Sequence, residues 1–332
     1  MYTCLLAYML TFSFMKIVFS GSIAYDYLMT FPGHFKEFIH PEKMESLSLS
    51  FLVDSLTRHY GGTAPNIAYS HALLGGKPAL IGTAGEDFND YRQWLESKGV
   101  DTKSVKQISG KMTASFFANT DKANLQIASF YPGAMAHAAE VRLHDLGYKP
   151  DLVVISPDDP LAMRNRIREC VELQIPYLYD PSQQLVRVGV EDIREGVESA
   201  KMIVVNDYEA HIIQDRIGLS EADMVKMGKL LIVTRGKDGA TVYADSQRVE
   251  IPIFPTDTIL DPTGTGDAFR GGFLRGLALG LGWEVSGRMG ALAATYCLEK
   301  SGTQNHAYTR GEFVNRFRKV FDDRGKLDQL LK

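Results

Sequence analysis

The sequence has few cysteines, no excess of basic charge, no internal repeat, no low-complexity tract and no evident linker. Its 3 cysteines in 332 residues are Cys4, Cys170 and Cys297. Odd in number and far apart, they build neither a disulfide framework nor a paired metal spacing, which favours a reducing cytoplasm. The 36 basic residues stand against 40 acidic ones, for a net charge of −4. That argues against nucleic acid and anionic membranes as partners, because counterion release needs a dense basic surface. A Gly-x-x-x-x-Gly-Lys-Ser/Thr loop is missing, and no Gly-x-Gly-x-x-Gly follows the first strand, where a dinucleotide fold would need it. Long apolar runs are scarce too. Met1 to Phe14 holds eleven apolar residues and no charge, and the first charge is Lys16. A signal peptide would put basic residues first, and a membrane span needs roughly 20 apolar residues. Met15-Lys16-Ile17-Val18-Phe19-Ser20-Gly21-Ser22 instead looks like a fresh start running into a buried strand. Residues 1–14 are therefore expected to be a misassigned upstream start, with a targeting segment as the alternative and one domain spanning 15–332.

What is present is an ordinary globular composition, 45% apolar and 23% charged, long enough for one large domain. Short β-rich runs at Lys16–Ser20, Ala79–Gly82, Asp151–Ser156, Tyr177–Asp180, Met202–Asn206 and Leu231–Thr234 are separated by helical patterns. Near-continuous apolar strands spaced by helices predict an α/β fold whose central, mostly parallel sheet is flanked by helices. One such helix carries Phe88, Tyr91, Trp94 and Leu95 and stops at Gly99. Two stretches break the rhythm. Residues 46–54 alternate, with Leu47, Leu49, Phe51 and Val53 on one face and serines on the other, and 113–131 reads as two half-polar strands around a polar turn. Such strands predict a small separate sheet covered on one face, a lid. A surface meander without function fits the same pattern.

The sharpest signal is Asp261-Pro262-Thr263-Gly264-Thr265-Gly266-Asp267-Ala268-Phe269, placed between a strand-like run ending near Leu260 and a helical pattern over Ala268–Leu281. Glycines just before a helix let successive N–H groups converge where the helix dipole favours negative charge. Gly264, Thr265 and Gly266 would form that anion hole. Asp267, in the first turn beside the anion, could take a proton from an attacking hydroxyl while charge builds on a phosphoryl group. A Gly-x-Gly pair alone would be weak, since loops before helices often contain it and Asp is a common cap.

This string resembles the signature of the ribokinase-like (PfkB) sugar and nucleoside kinases, and the resemblance runs from Met15 to Thr303. The bacterial adenosine kinases are the closer likeness, through Gly21-Ser22-Ile23-Ala24-x-Asp26, Ser48–Asp54, Gly61-Gly62 with Asn66, Gln126–Met135, Asp180-Pro181-Ser182-Gln183-Gln184, Asn206-Asp207-Tyr208-Glu209 and Gly302-Thr303-Gln304. The resemblance implies a ribokinase-like fold with a β-sheet lid. It assigns Asp26 to two adjacent ribose hydroxyls, with Ser22, Gly61, Gly62 and Asn66 around the sugar. Phe51, Phe116 and Phe130 match positions around a purine ring, and Gln183 and Arg187 are weaker matches for the same ligand. For the nucleotide it implies Asn206 and Glu209, in an Asn-x-x-Glu motif suited to hydrated Mg²⁺, together with Thr234, Gly236 and Gly266 toward ATP. Each has a plainer reading, such as Asp26 in a turn, the aromatics in a core, or Glu209 as a first-turn acid.

The resemblance implies ATP-dependent phosphorylation of the 5′-hydroxyl of adenosine, giving AMP and ADP in purine salvage. Its cofactors would be Mg²⁺ and a monovalent cation such as K⁺ near Asp261. Alternatives are a sugar kinase acting on ribose or a fructose phosphate, and a non-catalytic nucleoside sensor. The expected partners are small molecules, with a homodimer through the lid strands.

Overall fold

The protein is described here by a computed structural model covering residues 15–39 and 49–332. The head segment, Cys4 and the first part of the expected 46–54 strand therefore lie outside the described residues. In chain order the strands are β1 (Ile17–Ser20), β2 (Ala24–Thr30), β3 (Ser55–Gly61), β4 (Ala79–Ala84), β5 (Asp101–Gln107), β6 (Ala114–Thr120), β7 (Gln126–Tyr131), β8 (Leu152–Ile155), β9 (Tyr177–Tyr179), β10 (Met202–Asn206), β11 (Leu230–Thr234), β12 (Ala240–Ala244) and β13 (Gln247–Ile251). The α-helices are α1 (Thr63–Leu73), α2 (Asn89–Ser97), α3 (Pro160–Glu172), α4 (Val190–Ser199), α5 (Asp207–Ile217), α6 (Glu221–Lys226), α7 (Thr265–Ala278), α8 (Trp283–Leu298) and α9 (Arg310–Phe317).

A 9-stranded sheet runs β13-β12-β11-β10-β9-β8-β1-β4-β5. It is parallel from β5 to β11, and β12 and β13 close one end as an antiparallel hairpin. Both faces are buried, and the period-2 alternation of side chains divides them into two cores. Leu152, Val154, Met202, Val204 and Ile232 pack toward α1, α2, α7 and α8. Their neighbours Val153, Ile155, Ile203, Val205 and Val233 pack toward α3, α4, α5 and α6. Cys170 and Cys297 are both free and buried, on α3 and α8. Among the described residues no helix is long and apolar enough to cross a membrane.

The second sheet has 4 strands in the order β3-β2-β6-β7. Its composition corrects the expected lid. Residues 49–54 form no strand; Asp54 N–H reaches Thr30 O at 2.9 Å, and pairing with β2 begins at Ser55. The chain bends there because the Phe51 ring is drawn into a cluster with Phe31, Phe35 and Phe38, at centroid distances of 4.9, 5.0 and 5.9 Å. The segment carrying Asp26 is itself a lid strand, β2, and not a turn after β1. A second correction concerns the strand-like run near Leu260. Residues 252–264 pair with no strand; Leu260 and Asp261 N–H both donate to Leu298 O at the end of α8, at 2.9 and 3.3 Å.

Helix α7 is wedged between α1 and α8 by two consecutive glycines. A Cβ at 271 would lie 2.6 Å from Ile67 O, and one at 272 would lie 2.7 Å from Met289 O, so backbones touch where side chains would separate them. Gly271→Ala is expected to destabilise the protein by about 1–3 kcal/mol, the usual cost of overpacking. Thermal unfolding reads this, and an unchanged melting temperature would mean that α1 and α7 part without strain.

Candidate active site

The carboxyl ends of the parallel strands are where chain leaves the sheet, and loops there gather ligand-binding groups. Here β1 delivers Ser22, β9 delivers Asp180, β10 delivers Asn206 and β11 delivers Thr234 to one side of the large sheet. The lid faces them, and between the two lies a cavity of about 830 Å³.

The floor of the cavity is the start of α7. Gly264 is its N-cap with φ +78°, a backbone that L-residues avoid, and a Cβ there would sit 2.8 Å from the Thr303 methyl. Among the described residues, the N–H groups of Gly266 and Asp267 have no acceptor, while Thr265 N–H makes only a 3.3 Å bond to Pro262 O. Unbonded N–H groups at a helix N-terminus are a ready anion site. Asp261 fixes the loop, accepting from Thr263 N–H at 2.9 Å and from Gly302 N–H at 3.0 Å.

Asp267 is held from α1. Asn66 Nδ2 donates to Asp267 Oδ2 at 2.9 Å, while Asn66 Oδ1 accepts from Gln304 Nε2 at 2.9 Å and lies 2.9 Å from Thr303 Oγ1. The amide is thereby locked in one orientation, with one of its two N–H hydrogens still free. Burial pushes Asp267 up to about 6, opposed by Arg270 and the Asn66 bond and reinforced by Glu209. Burial also raises Asp26 to about 6, with the negative charges of Asp267 and Asp261 adding to it.

Asp26, on β2, lines the cavity with Ser22, Gly62 and Asn66. Gly61 lies just outside, its missing side chain leaving room for Asp26: a Cβ at 61 would be 2.3 Å from Asp26 Oδ2. The Gly62 φ is +90°, and a Cβ there would strike Ser22 O at 2.4 Å. Phe116 and Phe130, paired across β6 and β7, line the lid side with Gln183 and Arg187 opposite in the same lining. Phe51 is not among the lining residues; it belongs to the aromatic cluster described above. At the other end Asn206, Glu209, Thr234 and Gly236 line the wall with Thr265 and Gly266.

Glu209 is also the first-turn acid of α5 that the plainer reading expected, and the structure adds a partner in Asn206. They form the capping box of α5: Asn206 Oδ1 accepts from Glu209 N–H at 2.7 Å, and the Glu209 carboxylate accepts from Asn206 N–H at 2.8 Å and Nδ2 at 2.9 Å. Among the described residues no group of three or more His, Cys, Asp or Glu could hold a metal ion. One amide and one carboxylate could hold a divalent cation only together with water and other ligands.

The sequence pattern gave no role to Arg270, Asp180, Gln184 or Met135. Arg270, Gln184 and Met135 line the cavity, and Asp180 pairs with Arg270 at 2.6 Å beneath it. Arg270 could have been found from its spacing, one turn after Asp267 on the same helix.

A family model described as pfkB family carbohydrate kinase matches residues 23–310. A nucleoside kinase from Methanocaldococcus jannaschii is 28% identical over 92% of this chain and 97% of its own length. A solved nucleoside kinase from Burkholderia thailandensis, in complex with inosine, is 36% identical with a TM-score of 0.82, covering 92% of this chain and 98% of that one. An adenosine kinase structure from Sinorhizobium meliloti shares the fold at 19% identity and a TM-score of 0.72, over 92% of this chain and 99% of that one. The large sheet, its smaller companion and the glycine-Asp helix start thus coincide with a match in sequence and structure over nearly the whole chain, which belongs to the pfkB family of carbohydrate kinases, phosphotransferases with a hydroxyl acceptor.

Proposed function

We propose that the chain transfers the terminal phosphoryl group of ATP to the 5′-hydroxyl of a purine ribonucleoside, adenosine first, giving AMP and ADP. The observation that carries the reading is one helix turn. Among the described residues it presents unbonded N–H groups at Gly266 and Asp267 and, beside them, a largely buried carboxylate with one oxygen free of hydrogen bonds. The N–H groups stabilise negative charge on the transferring phosphoryl, and the free oxygen takes the hydroxyl proton.

The rest of the cavity suits a nucleoside. Asp26 offers carboxylate oxygens to two adjacent ribose hydroxyls, and the free Asn66 N–H reaches the same sugar. Phe116, Phe130 and Met135 give a purine ring an apolar face, and Gln183, Gln184 and Arg187 supply polar groups for its edge. The inosine bound by the Burkholderia relative supports a purine nucleoside over a bare sugar. With Phe51 in its own cluster, the aromatic argument rests on two rings. Asn206 and Glu209 would hold hydrated Mg²⁺, which neutralises the transferred phosphates when bound. A K⁺ near Asp261, a cytoplasmic location, purine salvage and a homodimer through the lid belong to the same reading. Exposed Leu56, Phe117 and Ile127 on the lid strands support the dimer.

Incubation with ATP and Mg²⁺ against adenosine, inosine, ribose and fructose 6-phosphate tests the reading. Adenosine and inosine are expected to turn over, with adenosine having the highest kcat/KM. Preferred turnover of a bare sugar, or binding of nucleoside without product, would overturn it.

Asp267→Asn is expected to lower kcat by roughly 10²–10⁴-fold with substrate binding largely intact. The pH profile has a definite sign. The base works only when ionised, and Asp267 titrates near 6. kcat/KM should therefore fall as pH drops through about 6 and level off above it, the limb reporting the coupled carboxylates together. A flat profile down to pH 5 would remove Asp267 from the role.

A further inference from the structure

Within the reading above, the free oxygen of Asp267 has an unusual neighbour. Oδ2 is taken by Asn66, whereas Oδ1 makes no hydrogen bond among the described residues and lies 4.0 Å from Arg270 Nη1. Arg270 is three residues along the same helix, so the two side chains share a face. A guanidinium so placed would ordinarily close to about 2.8 Å and form a forked pair with the carboxylate. Here it is restrained from another element: Nη2 donates to Asp180 Oδ1 at 2.6 Å, just after β9, with Asp180 1% and Arg270 9% exposed. The missing side chain at 266 leaves the space, since a Cβ there would be 2.8 Å from Arg270 Nη1.

The consequence is a cation close enough to act by charge and too far to occupy the lone pair. We propose that Arg270, clamped by Asp180, is a positioning residue for Asp267: it holds the carboxylate charged while leaving Oδ1 free for the acceptor hydroxyl. The groups around Asp267 make such a cation necessary. Asn66 faces it from α1, Asp26 from β2, Asp180 from the loop after β9, Glu209 from α5 and Cys297 from α8, while Asp261, in the loop before α7, bears on Asp26 and Cys297. Apart from neutral Asn66 and Cys297, all of these are acids. Arg270 is the foremost influence keeping the Asp267 carboxyl from rising further.

The test is the pH dependence of kcat and kcat/KM for the full chain with adenosine and ATP, for wild type, Arg270→Met, Arg270→Lys, Asp180→Asn, Asp267→Asn and the Arg270→Met/Asp267→Asn double variant. Arg270→Met should lower kcat at neutral pH by roughly tenfold or more, with KM for both substrates little changed. Its acid limb should move up by about one pH unit or more, as expected when a nearby opposite charge is lost. Arg270→Lys should restore part of that shift, because charge is what matters. Asp180→Asn frees the guanidinium to close on Oδ1, so its acid limb should move down while kcat falls. The double variant should be no slower than Asp267→Asn, because Arg270 acts through that carboxylate. An unmoved acid limb in Arg270→Met, or losses that multiply in the double variant, would overturn the assignment and put Arg270 on the phosphoryl group itself. If Arg270→Met does not fold, the opposed shifts expected of Arg270→Lys and Asp180→Asn decide the matter in the same way. Absence of wild-type turnover with any nucleoside would overturn this assignment and the kinase reading together, whereas wild-type turnover with an unmoved limb overturns only the role of Arg270.

Discussion

The site depends on the contact between α1 and α7. Both helices lie on the same face of the large sheet, and Gly271 lets their backbones approach to distances that no side chain would allow. That approach lets Asn66, in the first turns of α1, reach Asp267, in the first turn of α7, across 201 positions of sequence at 2.9 Å. Gln304 and Thr303, from the chain after α8, then lock Asn66 from behind. In the proposed reading this short polar link ties the sugar side of the cavity to the phosphate side, and its rigidity comes from the helix packing beneath it. Positioning of this kind removes much of the entropic cost of bringing two reactants together.

The second constraint is charge. The cavity and its floor collect Asp26, Asp180, Glu209 and Asp267, and burial raises Asp26 and Asp267 to about 6 and Asp180 to about 7. Carboxylates so crowded would tend to protonate, and a protonated base takes no proton from an alcohol. The fold offsets this with two positive features, the N-terminal end of α7 and the clamped guanidinium of Arg270. In the proposed reading the helix end faces the phosphoryl group while the guanidinium acts on the base, which puts acceptor and donor chemistry on one helix turn.

Much of this was legible in the chain. The parallel strands from Lys16 to Thr234 showed as apolar runs because both faces of the sheet are buried. The polar edges were not legible. Strand β5, with the sequence DTKSVKQ, has one face toward solvent, and the β12–β13 hairpin turns at Asp245 and Ser246, both at positive φ without a glycine to mark it. The lid was foreseen at 113–131 and missed at β2, where an acid sits in mid-strand because it faces the cavity. Alternation over 46–54 misled at the described residues 49–54, because Phe51 found a ring cluster rather than a strand partner.

Local chemistry is what the sequence determined by itself: the glycine–aspartate helix start, the cap at Asn206 and Glu209, and the near-continuous apolar strands. Each depends on residues adjacent in the chain, and their physics is satisfied within one turn or one strand. Which side chains meet was decided only by the tertiary structure. The Asn66–Asp267 bond, the Asp180–Arg270 clamp and the removal of Phe51 from the cavity all join residues from separate elements. Their distances are fixed by how helices and lid pack on the sheet, and no local pattern in the chain encodes that.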